Sequence, residues 1–319
     1  MLRFGVLGCA SIARRRMLPA LADAAGIEVT AVASRDLRRA QETAAPYGCA
    51  SVEGYDNLLA RDDVDAVYLP LPTGLHAEWI EKALLAGKHV LSEKALTVRL
   101  EEAQSLVALA QAHGLLLVEN FAFLHHSQHA VVRESLPRIG EIRAFSAAMG
   151  IPPLEPENPR YLPDLGGGAL LDVGVYPIRA AQLYLGSELE VVGAVLRRDP
   201  GARVDVAGSV LLTTSAGVTA QLDFGFIHAY RTVCSIWGSQ GSLELRRPFT
   251  PPDDYPPVLR MEVAGEVTER VLPADRQFVK AAEAFAAAIA AGTDGAQILR
   301  QAALVEAVRS SARWVDALH

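Results

Sequence analysis

Across the first 120 residues, short apolar runs alternate with stretches of helical period, and no other feature of the chain restricts its fold so strongly. Residues 3-RFGVLG-8, 28-EVTAVAS-34, 65-DAVYLPL-71, 88-KHVLSE-93 and 115-LLLVEN-120 have the length and apolar content of strands. A helix is expected from the turn after Gly8 to about Ala25, and another from Leu37 to Ala45. Two more are expected over 76-HAEWIEKALLAG-87 and 97-TVRLEEAQSLVALAQAHG-114, both ending in glycine, a common helix stop. Strands separated by helices are joined by crossovers, which produces a parallel sheet with helices on both faces.

The pattern changes past residue 122. A proline-rich loop, 152-PPLEPENPRYLP-163, leads into 166-GGGALLDVGVYPIRAAQLYLG-186, a glycine turn followed by a helix. Strand-and-turn units follow at 190-EVVGAVLR-197, 206-VAGSVLLTT-214, 217-GVTAQLDFGF-226, 231-RTVCSIWGS-239 and 242-SLELRR-247, with hairpin-sized connections at 215–217 and 239–241. Two helices, over residues 276–292 and 296–318, end the chain. The expected fold is α/β: an N-terminal Rossmann parallel sheet over residues 1–122, then an α+β domain over 123–319 with a large, mostly antiparallel open sheet. The C-terminal helices, residues 276–318, are expected to pack back on the first domain.

Composition agrees with two domains, because 319 residues exceed what one ordinary core accommodates. A net charge of −7 excludes a general binder of nucleic acid or of anionic membrane. Cys9, Cys49 and Cys234 are odd in number and far apart, so they form neither a disulfide framework nor a metal cluster. No uncharged apolar run approaches the roughly 18–20 residues needed to span a bilayer, and no basic leader precedes the first strand. The expected compartment is the cytoplasm.

The stretch 5-GVLGCASIARRR-16 joins the first strand to the first helix. Glycine at such a junction permits a tight turn, and the amides of the helix start then face a pyrophosphate. Gly8 holds the turn position. Ala10 and Ala13 stand where G-x-G-x-x-G has its other glycines, and each adds one methyl. Gly8, Cys9, Ala10, Ser11 and Ile12 therefore form the candidate phosphate loop. At the end of strand two an NAD-binding fold carries Asp or Glu; this chain has 34-SRDLRRA-40. Ser34 offers a hydroxyl, and Arg35 with Arg38 or Arg39 offers guanidinium for a 2′-phosphate, while Asp36 falls too late and belongs to the next helix start. NADP(H) is the expected cofactor; the alternative is an exposed arginine face.

The stretches 5-GVLGCASIA-13, 62-DDVDAVYLPLPTGLHAEW-79, 88-KHVLSEKAL-96 and 166-GGGALLDVGVYPI-178 resemble, over nearly the full length, the glucose–fructose oxidoreductase / inositol dehydrogenase (Gfo/Idh/MocA) family. Three further stretches, 119-ENFAFLHHSQH-129, 172-DVGVYPIRAA-181 and 248-PFTPP-252, are most similar to its NADPH-dependent 3-ketoreductases of dTDP-deoxysugar biosynthesis. The resemblance implies a catalytic lysine in an E-K-P signature, here Glu93-Lys94-Ala95. Alanine in place of the family's proline leaves the geometry of the 94–95 bond open. Asp172 and Tyr176 lie four apart and share a helix face. Tyr176 matches the tyrosine branch of the family, whereas inositol dehydrogenases have histidine. It is the first proton-donor candidate, with Lys94 as orienting group or alternative donor and a core role before Pro177 as the plain reading.

By the same resemblance, Leu71, His76, Glu93 and Asn120 line the cofactor, and Arg160 and Thr250 face the nucleotide-sugar. Arg14, Arg15 and Arg16 oppose the helix dipole at about 0.3–1 kcal/mol each when exposed. Arg15 or Arg16 is thus assigned to a diphosphate, against the alternative of three solvated arginines. His125, His126 and His129 have no carboxylate or thiol companions, and no metal is expected. The resemblance implies hydride transfer from NADPH to the C3 ketone of a dTDP-linked deoxy keto-sugar by a cytoplasmic homodimer or homotetramer, its second domain binding substrate and mediating assembly. The alternatives are a reductase or dehydrogenase of a free sugar or cyclitol, and a non-catalytic dinucleotide sensor.

Overall fold

A computed structural model describes residues 1–199, 201, 203–292 and 294–316. The chain forms two compact units: Met1–His125 with Arg276–Leu299, and His126–Asp275 with the residues from Arg300 onward.

The first unit is built from β1 (Leu2–Leu7), α1 (Leu18–Asp23), β2 (Ile27–Ser34), α2 (Leu37–Ala44), β3 (Ala50–Glu53), α3 (Tyr55–Leu59), β4 (Ala66–Leu69), α4 (His76–Leu85), β5 (His89–Glu93), α5 (Leu100–Ala112) and β6 (Leu117–Asn120). Its six strands are ordered β3-β2-β1-β4-β5-β6, all parallel, as the alternation requires. The order reverses beside β1, so the turn after Gly8 sits at the switch point where such sheets bind ligands. β3 and α3 escaped the sequence reading because 50-ASVE-53 is short and half-buried, without apolar periodicity.

The second unit contains α6 (Gln128–Ser135), β7 (Ile142–Gly150), α7 (Val175–Leu185), β8 (Leu189–Arg198), β9 (Asp205–Thr214), β10 (Thr219–Gly225), β11 (Arg231–Gly238), β12 (Gly241–Arg246), β13 (Val258–Val263) and β14 (Glu266–Val271). The chain then forms α8 (Gln277–Ala288), α9 (Ala296–Ser311) and β15 (Ala312–Asp316). The nine-stranded sheet runs β14-β13-β12-β11-β7-β10-β9-β8-β15, antiparallel except for β7·β10 and β8·β15. β7 lies inside the sheet, yet its 142-IRAFSAAMG-150 is rich in alanine, serine and glycine and does not read as a strand. α7 covers it, and small residues keep that layer thin.

The C-terminus corrects the expected helix over 296–318. The helix ends at Ser311, and Ala312–Asp316 pairs in parallel with β8 from Ala312↔Ala194 to Asp316↔Arg198. An edge ladder there overrides a sequence that continues a helical composition, and residues 317–318 lie outside the described residues. The grouping also divides the C-terminal segment: residues 276–299 belong to the first unit, and those from Arg300 to the second. α8 completes the first core, with Phe278, Ala281, Ala282 and Phe285 buried among Phe4, Val6, Leu18 and Leu21. No helix among the described residues is long and apolar enough to cross a membrane.

Phe285 is 2 % exposed and its ring centroid lies 5.4 Å from that of Phe4. Phe285→Ala is expected to destabilise the first unit by about 3–5 kcal/mol, read by denaturant unfolding. An unfolding free energy within about 1 kcal/mol of wild type would show that α8 is not part of this core.

Candidate functional site

In the first unit, Gly8 takes φ +122°, and a Cβ there would stand 3.0 Å from the Leu71 side chain. The backbone turns helical directly after it, with the Arg14 N–H donating to the Ala10 carbonyl at 3.1 Å. Ala13–Met17 forms one wide helical turn in which Arg14 and Arg15 are exposed and Arg16 is half-buried. Cys9 is held from α2: Arg39 Nη2 donates to its carbonyl at 3.3 Å, and its thiol donates to the Arg39 carbonyl at 3.6 Å.

At the end of β2, Asp36 caps α2 by accepting from the amides of Arg38 and Arg39 at 2.9 and 3.3 Å, and its own amide donates to Ser34 Oγ at 3.2 Å. The one carboxylate there is therefore engaged by the helix start. Arg38 pairs with Glu42 in solvent. Arg35 lies beside Tyr55, whose titration burial pushes upward against the pull of that guanidinium. Tyr55 also stands 3.7 Å from where a Gly8 Cβ would be and packs edge-on against Trp79. This residue was missed in the sequence because α3 was missed. The loop fits a dinucleotide with a 2′-phosphate: a glycine that cannot carry a Cβ, helix-start amides, and guanidinium groups in place of a ribose-binding carboxylate.

At the end of β5, the Glu93 Oε1 accepts from Tyr68 Oη at 2.8 Å and from Asn120 Nδ2 at 2.9 Å. Desolvation holds this carboxyl above the usual carboxylate range, against the opposing pull of Lys94 and the two donors. Lys94 is half-buried, and the Lys94–Ala95 peptide is cis. His76, fully buried, ties the segment down: Nδ1 lies 2.9 and 3.1 Å from the carbonyls of Ala95 and Leu96, and Nε2 lies 2.7 Å from the carbonyl of Leu71. Burial pushes the imidazole below its ordinary value although the three carbonyls favour its cation. His76 and Asn120, expected to line the cofactor, are buried, with the His76 nitrogens facing the Leu71, Ala95 and Leu96 carbonyls and Asn120 Nδ2 donating to Glu93.

In the second unit, the glycine turn 166-GGG-168 organises the site. A Cβ on Gly167 would stand 2.5 Å from the Arg160 carbonyl, and one on Gly168, at φ +119°, would stand 2.4 Å from Asp205 Oδ1. The amides of Gly167 and Gly168 donate to the carbonyls of Leu162 and Arg160 at 3.0 and 2.9 Å. This clasp brings the Arg160 side chain to Asp172, Nε to Oδ2 at 2.5 Å. Behind it, Asp205 of β9 accepts from the Leu170 amide at 2.6 Å and so anchors the start of the helical segment carrying Asp172 and Tyr176. Gly174 on that segment lets it approach Phe224, whose ring lies 3.0 Å from the missing Cβ.

Tyr176 packs against the buried Phe249, ring centroids 5.6 Å apart, and Thr250, half-buried, follows on the same loop. That loop is tied at Pro248, whose carbonyl accepts from Gln128 Nε2 at 3.1 Å and from His129 Nε2 at 2.9 Å. Since a carbonyl cannot donate, His129 carries its proton on Nε2, and its Nδ1 accepts from Tyr184 Oη at 2.6 Å. Burial pushes His129 down to about 3, in keeping with this neutral tautomer. His129 is thus a structural anchor. His126 faces Asp275 at 4.0 Å, and His125 belongs to the first unit.

Parallel sheet, glycine turn, strand-end lysine and helix-borne Asp–Tyr pair together define a dinucleotide-dependent oxidoreductase architecture. Residues 2–121 match the oxidoreductase family with an NAD-binding Rossmann fold, and residues 136–244 match the GFO/IDH/MocA C-terminal domain. The chain belongs to the GFO/IDH/MocA oxidoreductase family. It is 54 % identical to a dTDP-3,4-didehydro-2,6-dideoxy-alpha-D-glucose 3-reductase of Actinomadura kijaniata over 98 % of this chain and 96 % of that one. It is 52 % identical to the Streptomyces violaceoruber enzyme of the same description, over 98 % and 96 %. The crystal structure of KijD10, a 3-ketoreductase from Actinomadura kijaniata in complex with NADP and TDP-benzene, superposes with a TM-score of 0.96 at 53 % identity, covering 99 % of each chain.

Desolvation raises Asp205 from 3.8 to about 6, against the pull of the Leu170 and Ala169 amides and of Arg309. A carboxyl raised on folding stabilises below about pH 3.8 and loses that contribution as pH rises through about 6, a span worth about 3 kcal/mol. Asp205→Asn keeps an acceptor for Leu170 and removes the titration. Its unfolding free energy is expected to lack the decline that wild type shows between about pH 4 and 6. Parallel profiles for the two proteins in urea titrations across that range would contradict the assignment.

Proposed function

We propose that this chain is an NADPH-dependent 3-ketoreductase that reduces the C3 ketone of a dTDP-linked deoxy keto-sugar. The observation that carries the reading is its full-length likeness, at about half of all positions, to 3-reductases of dTDP-2,6-dideoxyglucose derivatives. The local geometry supports it. Arginines replace the ribose-binding carboxylate at the end of β2, as a 2′-phosphate requires.

Bound NADPH supplies the hydride. Tyr176 gives the proton to the nascent alkoxide, with Lys94 orienting the ketone or standing as the alternative donor and its charge stabilising the developing oxyanion. Asp172, engaged by Arg160, fixes the sugar beside Tyr176, and Thr250 contributes from the Phe249 loop. Gly8 to Ile12 hold the pyrophosphate, Ser34, Arg35 and Arg39 hold the adenosine end, and Leu71 closes on the ribose. Arg15, exposed and without a carboxylate partner among the described residues, reaches a diphosphate.

The three free cysteines suit the cytoplasm. Trp237 and Val267, 66 % and 50 % exposed, lie in one cross-strand row through Ser242 and Glu262 on the open face of the nine-stranded sheet, a surface suited to a homodimer or homotetramer.

The direct test is protein-dependent loss of NADPH absorbance on adding a dTDP-3-keto-deoxysugar. Turnover of free keto-sugars or cyclitols but not of the nucleotide-linked substrate would replace this reading with the broader family activity. Tyr176→Phe and Lys94→Ala are expected to lower kcat by roughly 100-fold or more, with a smaller effect on KM. Near-normal turnover in both would remove them from the chemistry. Arg35→Ala is expected to raise KM for NADPH by roughly tenfold while leaving KM for NADH unchanged, in initial-rate assays with each cofactor.

A further inference from the structure

Of the three histidines in 125-HHSQH-129, the last is fully buried and closes a ring of contacts that returns to Tyr176. His129 sits on α6, and its two nitrogens face two different parts of the second unit. Nδ1 accepts from Tyr184 Oη at 2.6 Å, and Nε2 donates to the Pro248 carbonyl at 2.9 Å. Tyr184 lies on α7, the helix of Tyr176, just over two turns or about 12 Å further along its axis. Pro248 directly precedes Phe249, whose ring is fully buried and lies 5.6 Å from that of Tyr176, tilted by 44°. The path therefore closes: from Tyr176 along α7 to Tyr184, through the imidazole to Pro248, and back through Phe249.

Each link of this ring is stiff. α7 runs without interruption over Val175–Leu185. Tyr184 is buried, with its ring centroid 5.9 Å from that of Phe145 in β7. The loop reads 248-PFTPP-252, so three of its five residues have a fixed φ. Gln128 Nε2 donates to the same Pro248 carbonyl at 3.1 Å, a second hold from α6. Burial pushes the imidazole down to about 3, so at neutral pH the ring keeps one N–H, held on Nε2 by the carbonyl.

A proton donor must lie within hydrogen-bond reach of the oxygen that receives its proton, and a displacement of about 1 Å can cost roughly 100-fold in rate. The backbone of α7 fixes the Tyr176 Cα but leaves the rotation of this half-buried side chain to its neighbours. Phe249 supplies a wall against the ring. Since Phe249 is the residue after Pro248, any shift of the Pro248 carbonyl moves that wall.

We propose that His129 is a positioning residue for the reduction: it locks the loop that carries Phe249 to the helix that carries Tyr176, and so holds the phenol where it gives its proton. This role rests on Tyr176 being the proton donor.

The experiment compares kcat and KM for His129→Leu, His129→Gln, Tyr184→Phe and Tyr176→Phe, with the first also combined with the last. NADPH oxidation is followed with the dTDP-3-keto-deoxysugar, or with a free keto-sugar where wild type reduces only that. His129→Leu removes both ring nitrogens without adding bulk, and is expected to lower kcat by roughly 10- to 100-fold with KM for NADPH near wild type. His129→Gln keeps an N–H for Pro248 and an oxygen for Tyr184, and is expected to restore kcat to within about threefold of wild type. Tyr184→Phe deletes a single hydroxyl and is expected to lower kcat by roughly three- to tenfold. In the Tyr176→Phe background, His129→Leu is expected to change the residual turnover by less than about twofold, because the group it positions is gone. Undiminished kcat in both His129→Leu and Tyr184→Phe, with Tyr176→Phe impaired, overturns the positioning role and leaves Tyr176 in the chemistry. An equal loss from His129→Leu with and without the Tyr176 hydroxyl also overturns it, because the histidine then supports the fold and not the phenol. Near-normal turnover in Tyr176→Phe overturns the donor reading and the positioning role with it. Where His129→Leu does not yield folded protein, Tyr184→Phe carries the same two comparisons.

Discussion

The second unit depends on a buried carboxylate placed against a backbone that has no side chain in the way. Asp205 projects from the first residue of β9 and accepts the Leu170 amide, and Gly168 must be glycine because its Cβ would fall on that carboxylate. Burying the charge is costly, and the rise of its titration to about 6 records that cost. In return the start of the helical segment is fixed to the sheet, and with it the direction of Asp172 and Tyr176. The neighbouring Gly167 performs the complementary task, admitting the Arg160 and Leu162 carbonyls that bring Arg160 to Asp172. One glycine serves a carboxylate behind the helix and the other serves a loop in front of it.

The first unit makes its corresponding link with a buried imidazole. The strand-end lysine sits in a segment whose carbonyls at Ala95 and Leu96 point inward, where unpaired oxygens would be costly. His76 faces both of them and the Leu71 carbonyl as well, joining the loop after β4 to the loop after β5. Glu93 is oriented in turn by Tyr68 and Asn120. The residues beside Lys94 are therefore set by buried polar contacts.

Much of this was legible in the sequence, and the failures have common physical causes. Alternation of apolar and helical periods identified five of six strands in the first sheet because a parallel sheet buried on both faces needs near-continuous apolar runs. β3 lacks such a run because it lies at the edge and is only half-buried. β7 is internal but small-residued, and β15 has the composition of the helix before it; both are specified by pairing partners distant in sequence. At the site, the residue types at positions 94, 172 and 176 could be read from motifs. What could not be read was which neighbours are turned inward. His76 and Asn120 read as polar groups in strand-end loops, and the sequence does not show that they are buried and bonded to neighbouring loops and to Glu93.

Charge is distributed according to the same logic. In each unit several acidic side chains are occupied internally: Asp36 caps a helix and Glu93 is bonded by Tyr68 and Asn120 in the first, while Asp205 holds a turn and Glu244 is met by Arg246 in the second. Several arginines remain solvent-facing or held by neutral partners, among them Arg15, Arg35, Arg231 and Arg247. An arginine held by a tyrosine or a carbonyl keeps its full positive charge, whereas one held by a carboxylate is already neutralised. Tyr55 against Arg35 and Tyr230 with Tyr255 against Arg247 are instances of that choice, at two places in the chain with no sequence motif in common. Each places a guanidinium beside a neutral partner that leaves its charge uncancelled.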